Sequence, residues 1–203
     1  MTAINKASSN ASMSAPVDGP KRLVIVGATG MVGGQALRFA LDNLAVKSVT
    51  SIARKRLGIT HPKLKEVLHQ NFADCSPLAD VLSAQEAVVY CLGTYTGSVS
   101  DEQLRVITAD YTIEFARVFR GSSPNAGFSF LSGNGADPVG TKPACLRTLQ
   151  GTSRECAIST GFPRVYTSGP HISIPLNREG NRISATVYYV RSTPSFGCWF
   201  LTR

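Results

Sequence analysis

Two kinds of stretch alternate along the chain from Lys21 to Ser168. Short runs of Val, Ile, Leu and Phe, almost uninterrupted by polar residues, are typical of strands that are covered on both faces. Between them lie longer stretches in which apolar residues recur at helical spacing. This alternation predicts βαβ units and a parallel sheet, with strands at residues 22–27, 47–54, 66–71, 86–93, 127–133 and 164–168.

Three helices are predicted between these strands, at Met31–Asn43, Ser76–Ser83 and Ser100–Arg120. The last begins with a serine followed by Asp101 and Glu102, which suit the positive end of a helix dipole. After Pro170 the periodicity is lost, apart from one more apolar run at Ile183–Val190. We can therefore place no other element after Pro170.

Length and composition predict a single domain. The chain has 203 residues, of which 43% are hydrophobic, enough for one core. We expect a disordered leader at residues 1–20, a folded domain at residues 21–169, and an irregular or poorly ordered tail at residues 170–203. No apolar run approaches the roughly 20 residues that span a bilayer, so we expect a cytoplasmic protein without membrane contact.

Charge and cysteines argue against two classes of protein. The net charge is +8, but the basic residues are scattered singly without interleaved aromatics, which disfavours a nucleic-acid surface. No CxxC pair and no histidine at metal-ligand spacing occurs among the cysteines, Cys75, Cys91, Cys145, Cys156 and Cys198. We expect reduced structural thiols and no metal.

A GxxGxxG motif, formed by Gly27, Gly30 and Gly33, lies directly between the first predicted strand and the first predicted helix. Glycines at this spacing allow a tight turn, close approach of backbone to a pyrophosphate, and close packing of helix on sheet, while the helix N-terminus offers free amides to the phosphates. The motif predicts a dinucleotide site and a Rossmann-type, doubly wound α/β fold. A glycine-rich turn that binds nothing is the alternative.

The second predicted strand ends in IARKR, where such a fold places the residue that reads the adenosine ribose. An acidic residue there binds the 2′-hydroxyl of NAD, whereas an arginine accommodates the 2′-phosphate of NADP. Arg54, Lys55 and Arg56 stand there without an acid. NADP is therefore favoured over NAD, and a solvated basic loop is the alternative interpretation.

Four segments together resemble one protein family: VGATGMVG at the first turn, SIAR after the second strand, CLGT after the fourth and FLSGNGAD after the fifth. They are similar to the atypical short-chain dehydrogenase/reductases, and more narrowly to small NAD(P)-binding, epimerase-like proteins related to the Tat-interacting reductase. The resemblance covers Lys21–Asp137 and resumes at Gly161–Tyr166.

The resemblance implies a role for each matching residue. It implies that the pyrophosphate is held by Gly27, Ala28, Thr29, Gly30, Met31, Val32 and Gly33. It also implies that Arg54 binds the adenosine phosphate and that Asn71 and Phe72 bind the adenine. The nicotinamide half is assigned in the same way to Cys91, Leu92, Gly93 and Thr94.

Reductases of this family use a serine after the fifth strand and a Tyr-x-x-x-Lys pair on the next helix, whose tyrosine passes a proton while hydride moves from the cofactor. Ser132 stands where that serine would be, or it caps the turn after the strand. Counting back from GFPRVY places Leu146 and Gln150 at the positions of the pair, and no Tyr-x-x-x-Lys occurs in the chain. We therefore expect impaired catalysis, and oxidoreductase activity rests on the resemblance only.

The segments Ala144–Thr160 and Ser192–Thr202 differ in character from the rest of the chain. Read one base out of frame with suitable codons, each can encode a peptide that resembles the corresponding part of the family. We hypothesise that both are out-of-frame translations of an ancestral reductase-like gene, which also accounts for the basic excess after Pro138. A nucleotide sequence whose shifted frames do not encode these peptides would contradict the hypothesis.

The sequence leaves three functional interpretations open. The first is an NADP-binding relative of oxidoreductases and epimerases with impaired catalysis on an unidentified small molecule. The second is a cofactor-sensing or protein-interaction module, in which bound dinucleotide stabilises a surface that a protein partner recognises. The third is a partly folded product without function, because the substrate region that usually follows the sixth strand in the family is expected to be truncated at its C-terminal end.

Overall fold

The computed structural model describes residues 19–94, 98–131 and 160–168. These residues form β1 (Lys21–Val26), α1 (Met31–Asp42), β2 (Val46–Ala53), β3 (Leu64–Leu68), α2 (Ala79–Leu82), β4 (Ala87–Tyr90), α3 (Asp101–Arg105), α4 (Tyr111–Ser122), β5 (Gly127–Leu131) and β6 (Arg164–Ser168). A short 3-10 turn at Ser76–Leu78 precedes α2, and a π-helical turn at Val106–Asp110 joins α3 to α4.

The six strands pair in parallel in one sheet, in the order β3-β2-β1-β4-β5-β6. All six predicted strands and the predicted parallel sheet are confirmed. The chain runs outward from β1 to β3 and then returns to the other side of β1, so the direction of winding reverses between β1 and β4. Val26 pairs with Tyr90 across this point, and ligands of open α/β sheets bind beyond the strand ends there.

Helices cover both faces of the sheet, which explains why the strand sequences are apolar without alternation. Leu23 and Ile25 of β1 lie in one core cluster with Leu37 of α1. Val24 and Val26 lie in a second, larger cluster together with side chains of α2 and α4. The doubly wound architecture predicted from the sequence is therefore confirmed.

The larger core is dominated by aromatic rings around Phe128, which is 0% exposed. Its ring centroid lies 5.0 Å from that of Phe162, 6.0 Å from that of Tyr90, 6.4 Å from that of Phe119 and 6.5 Å from that of Phe115. Because Phe162 lies two residues before the start of β6, this packing attaches the last described strand to the centre of the domain.

The helix predicted at Ser100–Arg120 is present but interrupted. The Ser100 hydroxyl accepts a hydrogen bond from the Gln103 amide at 3.3 Å, as an N-cap. Further along, the Thr112 hydroxyl donates to the Thr108 carbonyl at 2.9 Å, beside the π-helical turn. Such a side-chain bond to the preceding turn competes with the helical ladder, and the apolar periodicity of the segment does not reveal it.

Two strands end earlier than predicted. β4 ends at Tyr90 rather than at residue 93, because its neighbour β1 turns away at Gly27, where φ is 83°. β3 ends at Leu68 rather than at residue 71. The predictions for residues 1–18, for Ile183–Val190 and for most of the two segments assigned to a shifted reading frame lie outside the described residues.

Candidate functional site

The turn after β1 is built from glycines. Gly27 has a φ of 83°, in the left-handed region that glycine adopts without steric cost. The Gly30 amide donates to the Gly27 carbonyl at 3.0 Å and closes the turn, and α1 begins at the next residue. The turn therefore reverses the chain within a few residues. It lies at the switch point of the sheet, the place between β1 and β4 where the direction of winding reverses.

Close backbone contacts require glycine at two positions of the motif. A Cβ atom at Gly27 would lie 2.9 Å from the carbonyl carbon and oxygen of Cys91 and 3.0 Å from the Leu92 nitrogen. A Cβ atom at Gly33 would lie 2.2 Å from the Gly27 carbonyl oxygen and 2.7 Å from its carbon. The loops after β1 and β4 thus touch through their backbones, and α1 packs directly on the turn.

The N-terminus of α1 has no side chain of its own to satisfy its amides. Its N-cap is Gly30, and its first turn contains no acidic residue. By contrast, α3 is capped by the Ser100 hydroxyl and carries Asp101 and Glu102 in its first turn. Because the first amides of any helix lack intrahelical partners, the start of α1 offers donors and a positive dipole end to an anion.

A cavity of about 450 Å³ opens beside this turn, between α1 and the loop after β2. Two arginines face it from these two elements, and the described residues that line it include no carboxylate. The lining residues are Ala28, Thr29, Gly30, Met31, Gly34, Gln35, Arg38, Arg56 and Leu57. The combination of free helix amides, glycine turn and basic walls suits a phosphate-bearing ligand.

Four residues predicted from the motif, Ala28, Thr29, Gly30 and Met31, line this cavity. Gly27 and Gly33 shape the turn beneath it, as their close contacts require. Val32 is half-buried and is not among the lining residues. The structure therefore brings most of the predicted pyrophosphate loop to one place.

Two basic residues line the cavity, and one of them belongs to the basic segment after β2. Arg54 is exposed, does not line the cavity, and accepts a hydrogen bond at its carbonyl from the Gln70 side-chain amide at 2.5 Å. Arg56 and Arg38 line the cavity instead. Arg38 was not predicted, although its spacing from Met31 on α1 is the signal that could have found it, since residues seven apart share a helix face.

The residues predicted to bind adenine lie in different environments. The Phe72 side chain is 1% exposed and packs among core residues, with Tyr111 at 6.2 Å between ring centroids. Asn71 is exposed, and its side-chain oxygen accepts from the Ala73 amide at 3.2 Å. Of the pair, only Asn71 offers an accessible side chain to a ligand.

The loop predicted to hold the nicotinamide half starts beside the glycine turn. The Cys91 amide donates to the Val26 carbonyl at 2.9 Å, so the loop leaves the sheet next to Gly27. The Thr94 hydroxyl lies 3.1 Å from that of Ser98, and Gly93 is exposed. Ser132, predicted to bind a substrate carbonyl, lies outside the described residues, as do the positions of the catalytic pair.

Burial raises the pKa of the Cys91 thiol from 9.0 to about 12. A thiol that stays protonated at neutral pH is a poor nucleophile. Cys91 therefore contributes backbone and bulk to this loop rather than thiolate chemistry.

The raised pKa of Cys91 leads to an expected dependence of stability on pH. Below pH 9 the thiol is protonated in both states, whereas between about pH 9 and 12 it ionises only when unfolded. The free energy of unfolding should therefore fall as the pH rises from about 9 towards 12. Urea unfolding at a series of pH values measures this fall, and Cys91→Ala should make it shallower. An equal fall in the variant would contradict the assignment.

The described chain offers few other functional features. None of its helices has the length and apolarity that crossing a bilayer requires. Its His, Cys, Asp and Glu side chains nowhere gather in threes at a spacing that could hold a metal ion.

No protein-family model matches the chain, but solved structures share its architecture. A short-chain dehydrogenase from Burkholderia cenocepacia in complex with NADP superposes with a TM-score of 0.60 at 14% identity, over 75% of this chain and 73% of that chain. The Bordetella bronchiseptica enzyme WbmH in complex with NAD+ has a TM-score of 0.59 at 15% identity, over 74% of this chain and 56% of that chain. The chain has a Rossmann-type fold.

A third solved structure with this architecture is a sugar-acid dehydrogenase. Uronate dehydrogenase from Agrobacterium tumefaciens has a TM-score of 0.54 at 16% identity, over 66% of this chain and 53% of that chain. The chain therefore spans little more than half of the length of WbmH or of this dehydrogenase. At these identities the similarity establishes the fold alone.

Proposed function

We propose that this Rossmann-type chain binds a nicotinamide dinucleotide, with NADP preferred over NAD. The observation that carries the proposal is the glycine turn at the switch point: Gly27 packs on the backbone of Cys91, and α1 starts with amides that no side chain caps. The complexes of similar structures with NAD or NADP support this class of ligand.

In this proposal the ligand lies along the carboxyl ends of β2, β1 and β4. The pyrophosphate binds the turn and the first amides of α1, the adenosine half extends over the end of β2, and the nicotinamide half over Cys91–Thr94. The segment after β2 carries basic residues and no acid, which favours the 2′-phosphate. Residues 21–169 would then be the dinucleotide-binding domain. A cytoplasmic location stays a prediction.

When bound, a nicotinamide dinucleotide supplies hydride chemistry. The chain's own contribution to a reaction is proposed to be weak, since no Tyr-x-x-x-Lys pair occurs in its sequence. Leu146 and Gln150 stand at the positions of the pair when counted back from GFPRVY. A leucine cannot pass a proton, and a glutamine cannot supply the positive charge that lowers a tyrosine pKa. Ser132 as a group that binds a substrate carbonyl remains part of the proposal.

Titration of the full-length protein with NADPH and with NADH, followed by nucleotide fluorescence, tests the proposal. We expect saturable binding of both, with NADPH at least about tenfold tighter because of charge-assisted phosphate contacts. At a hundredfold excess over Kd, NADPH should raise the free energy of unfolding by about 2.7 kcal/mol. Absence of saturable binding of either nucleotide would contradict the proposed function.

A second candidate function is a cofactor sensor or interaction module without catalysis. It is favoured by one specific observation: the glycine motif is complete while the catalytic pair is missing from the sequence. Oxidation of bound NADPH by aldehydes or quinones separates the two candidates. Turnover above the rate of free NADPH supports an oxidoreductase, and tight binding without turnover supports the module.

A further inference from the structure

We infer that Arg38 of α1 and Arg56 of the loop after β2 together bind the adenosine 2′-phosphate, and that Arg54 does not. This inference rests on the proposed function, because it assigns the residues that select NADP over NAD. It differs from the assignment of Arg54 to the adenosine phosphate, which the family resemblance implies.

The side chains around the cavity favour Arg38 and Arg56 over Arg54. Arg38 and Arg56 line the cavity from two separate elements, whereas Arg54 is absent from its walls. Arg38 shares a face of α1 with Met31 and Gln35, which also line the cavity. At 1.5 Å per residue it stands about 10 Å along the axis from the start of the helix. Because helical side chains lean towards the N-terminus, its guanidinium can extend back towards the ribose of a nucleotide whose pyrophosphate sits at the turn.

The two cavity arginines have no carboxylate partner among the described residues. Three arginines of the described ranges have carboxylate partners: Arg22 lies 3.5 Å from Glu86, Arg105 3.7 Å from Asp110, and Arg117 2.9 Å from Glu114. Neither cavity arginine forms an ion pair with a described carboxylate, and the described lining holds no acid. Two guanidinium groups at one cavity repel each other unless an anion lies between them.

The chemistry of the guanidinium group makes that anion a phosphate. Its planar set of donors matches two phosphate oxygens at once, which a lysine ammonium cannot do. A 2′-phosphate held from both sides would tie α1 to the loop after β2. NADH, which carries a hydroxyl at this position, would gain little from either arginine.

Arg54 serves as a matched control because it has the same side chain and stands two residues before Arg56. Its backbone carbonyl accepts a hydrogen bond from the Gln70 side-chain amide, and the residue is exposed and does not line the cavity. The three variants Arg38→Gln, Arg56→Gln and Arg54→Gln therefore remove one exposed positive charge each. Thermal unfolding without ligand checks that all three remain folded.

The test measures NADPH and NADH binding to these full-length variants by nucleotide fluorescence. Arg38→Gln and Arg56→Gln should each raise the Kd of NADPH at least about tenfold, as expected for loss of a hydrogen bond to a charged group. Both variants should keep the Kd of NADH within about twofold of the value for the unaltered protein. Arg54→Gln should keep the Kd of NADPH and the Kd of NADH within about twofold of the unaltered values. Arg38→Lys should recover part of the NADPH affinity, since it restores charge without the paired donors.

Two results would overturn the inference. One is weaker NADPH binding in Arg54→Gln with unchanged binding in Arg38→Gln, which would favour the assignment of Arg54 that the family resemblance implies. The other is an equal loss of NADPH and NADH binding in Arg38→Gln, because a contact to the 2′-phosphate cannot affect NADH. Either result leaves the proposed dinucleotide binding intact, whereas failure of the unaltered protein to bind either nucleotide contradicts the proposed function itself.

Discussion

Replacing Gly33 with alanine is expected to remove high-affinity NADPH binding. The new Cβ atom would lie 2.2 Å from the Gly27 carbonyl oxygen, so α1 and the turn must move apart. The phosphate oxygens would then lose aligned amide donors, each worth about 1.5–3 kcal/mol, or roughly ten- to a hundredfold in Kd, and overpacking costs about 1–3 kcal/mol of stability. Fluorescence titration with NADPH measures the first effect, and urea unfolding without ligand measures the second.

Gly121→Ala is the matched control for this substitution. Gly121 lies in α4, where a Cβ atom would meet no neighbouring side chain or loop within 4 Å, so alanine enters open space there. It should leave NADPH affinity unchanged and raise the free energy of unfolding by about 0.5–1 kcal/mol, because glycine is a poor residue inside a helix. Wild-type NADPH affinity in Gly33→Ala would show that the contact between α1 and the turn does not shape the site.

Replacing Phe128 with alanine is expected to give a large loss of stability, about 3–5 kcal/mol. The ring is 0% exposed and lies at the centre of the aromatic core, where its removal leaves a cavity between β5, α4 and the residues that lead into β6. Neighbouring rings cannot collapse fully into that space, since each is held by its own packing. Urea unfolding of the variant and of the unaltered protein gives the difference.

Phe39→Ala provides the comparison for an exposed ring of the same size. Phe39 lies on α1 and is 58% exposed, so its truncation should change the free energy of unfolding by no more than about 0.5 kcal/mol. Similar losses in the two variants would mean that the aromatic core around Phe128 does not stabilise the domain as described.

The fold could be predicted from the sequence because each of its elements leaves a local pattern. β1 and β4 are short uninterrupted apolar runs, as strands buried on both faces must be. The glycine at position 27 marks a left-handed turn, and that at position 33 marks a close contact between helix and turn. The strand and helix on either side of the motif supplied the context that such a motif needs.

The ends of the strands and the exposure of individual side chains could not be predicted from local sequence patterns. The predicted run continues through Cys91 and Leu92 without a charged residue, yet β4 stops at Tyr90 because β1 turns away beside it. Phe72 follows a strand in the position expected to contact adenine, but Tyr111 packs near its ring from a helix about forty residues later. Both outcomes depend on neighbours that are distant in the chain.

The sequence by itself determined the fold class, the glycine turn and the presence of basic residues after β2, because periodicity and φ preferences act within a few residues. Only the tertiary structure decided which basic side chains reach the cavity. Arg38 and Arg56 both line the cavity because α1 packs against β2, which brings the helix beside the loop that follows this strand, whereas Arg54 does not line it. Spacing within α1 can place Arg38 on the same helix face as Met31, but the contact between this helix and the loop after β2 is fixed by packing between separate elements.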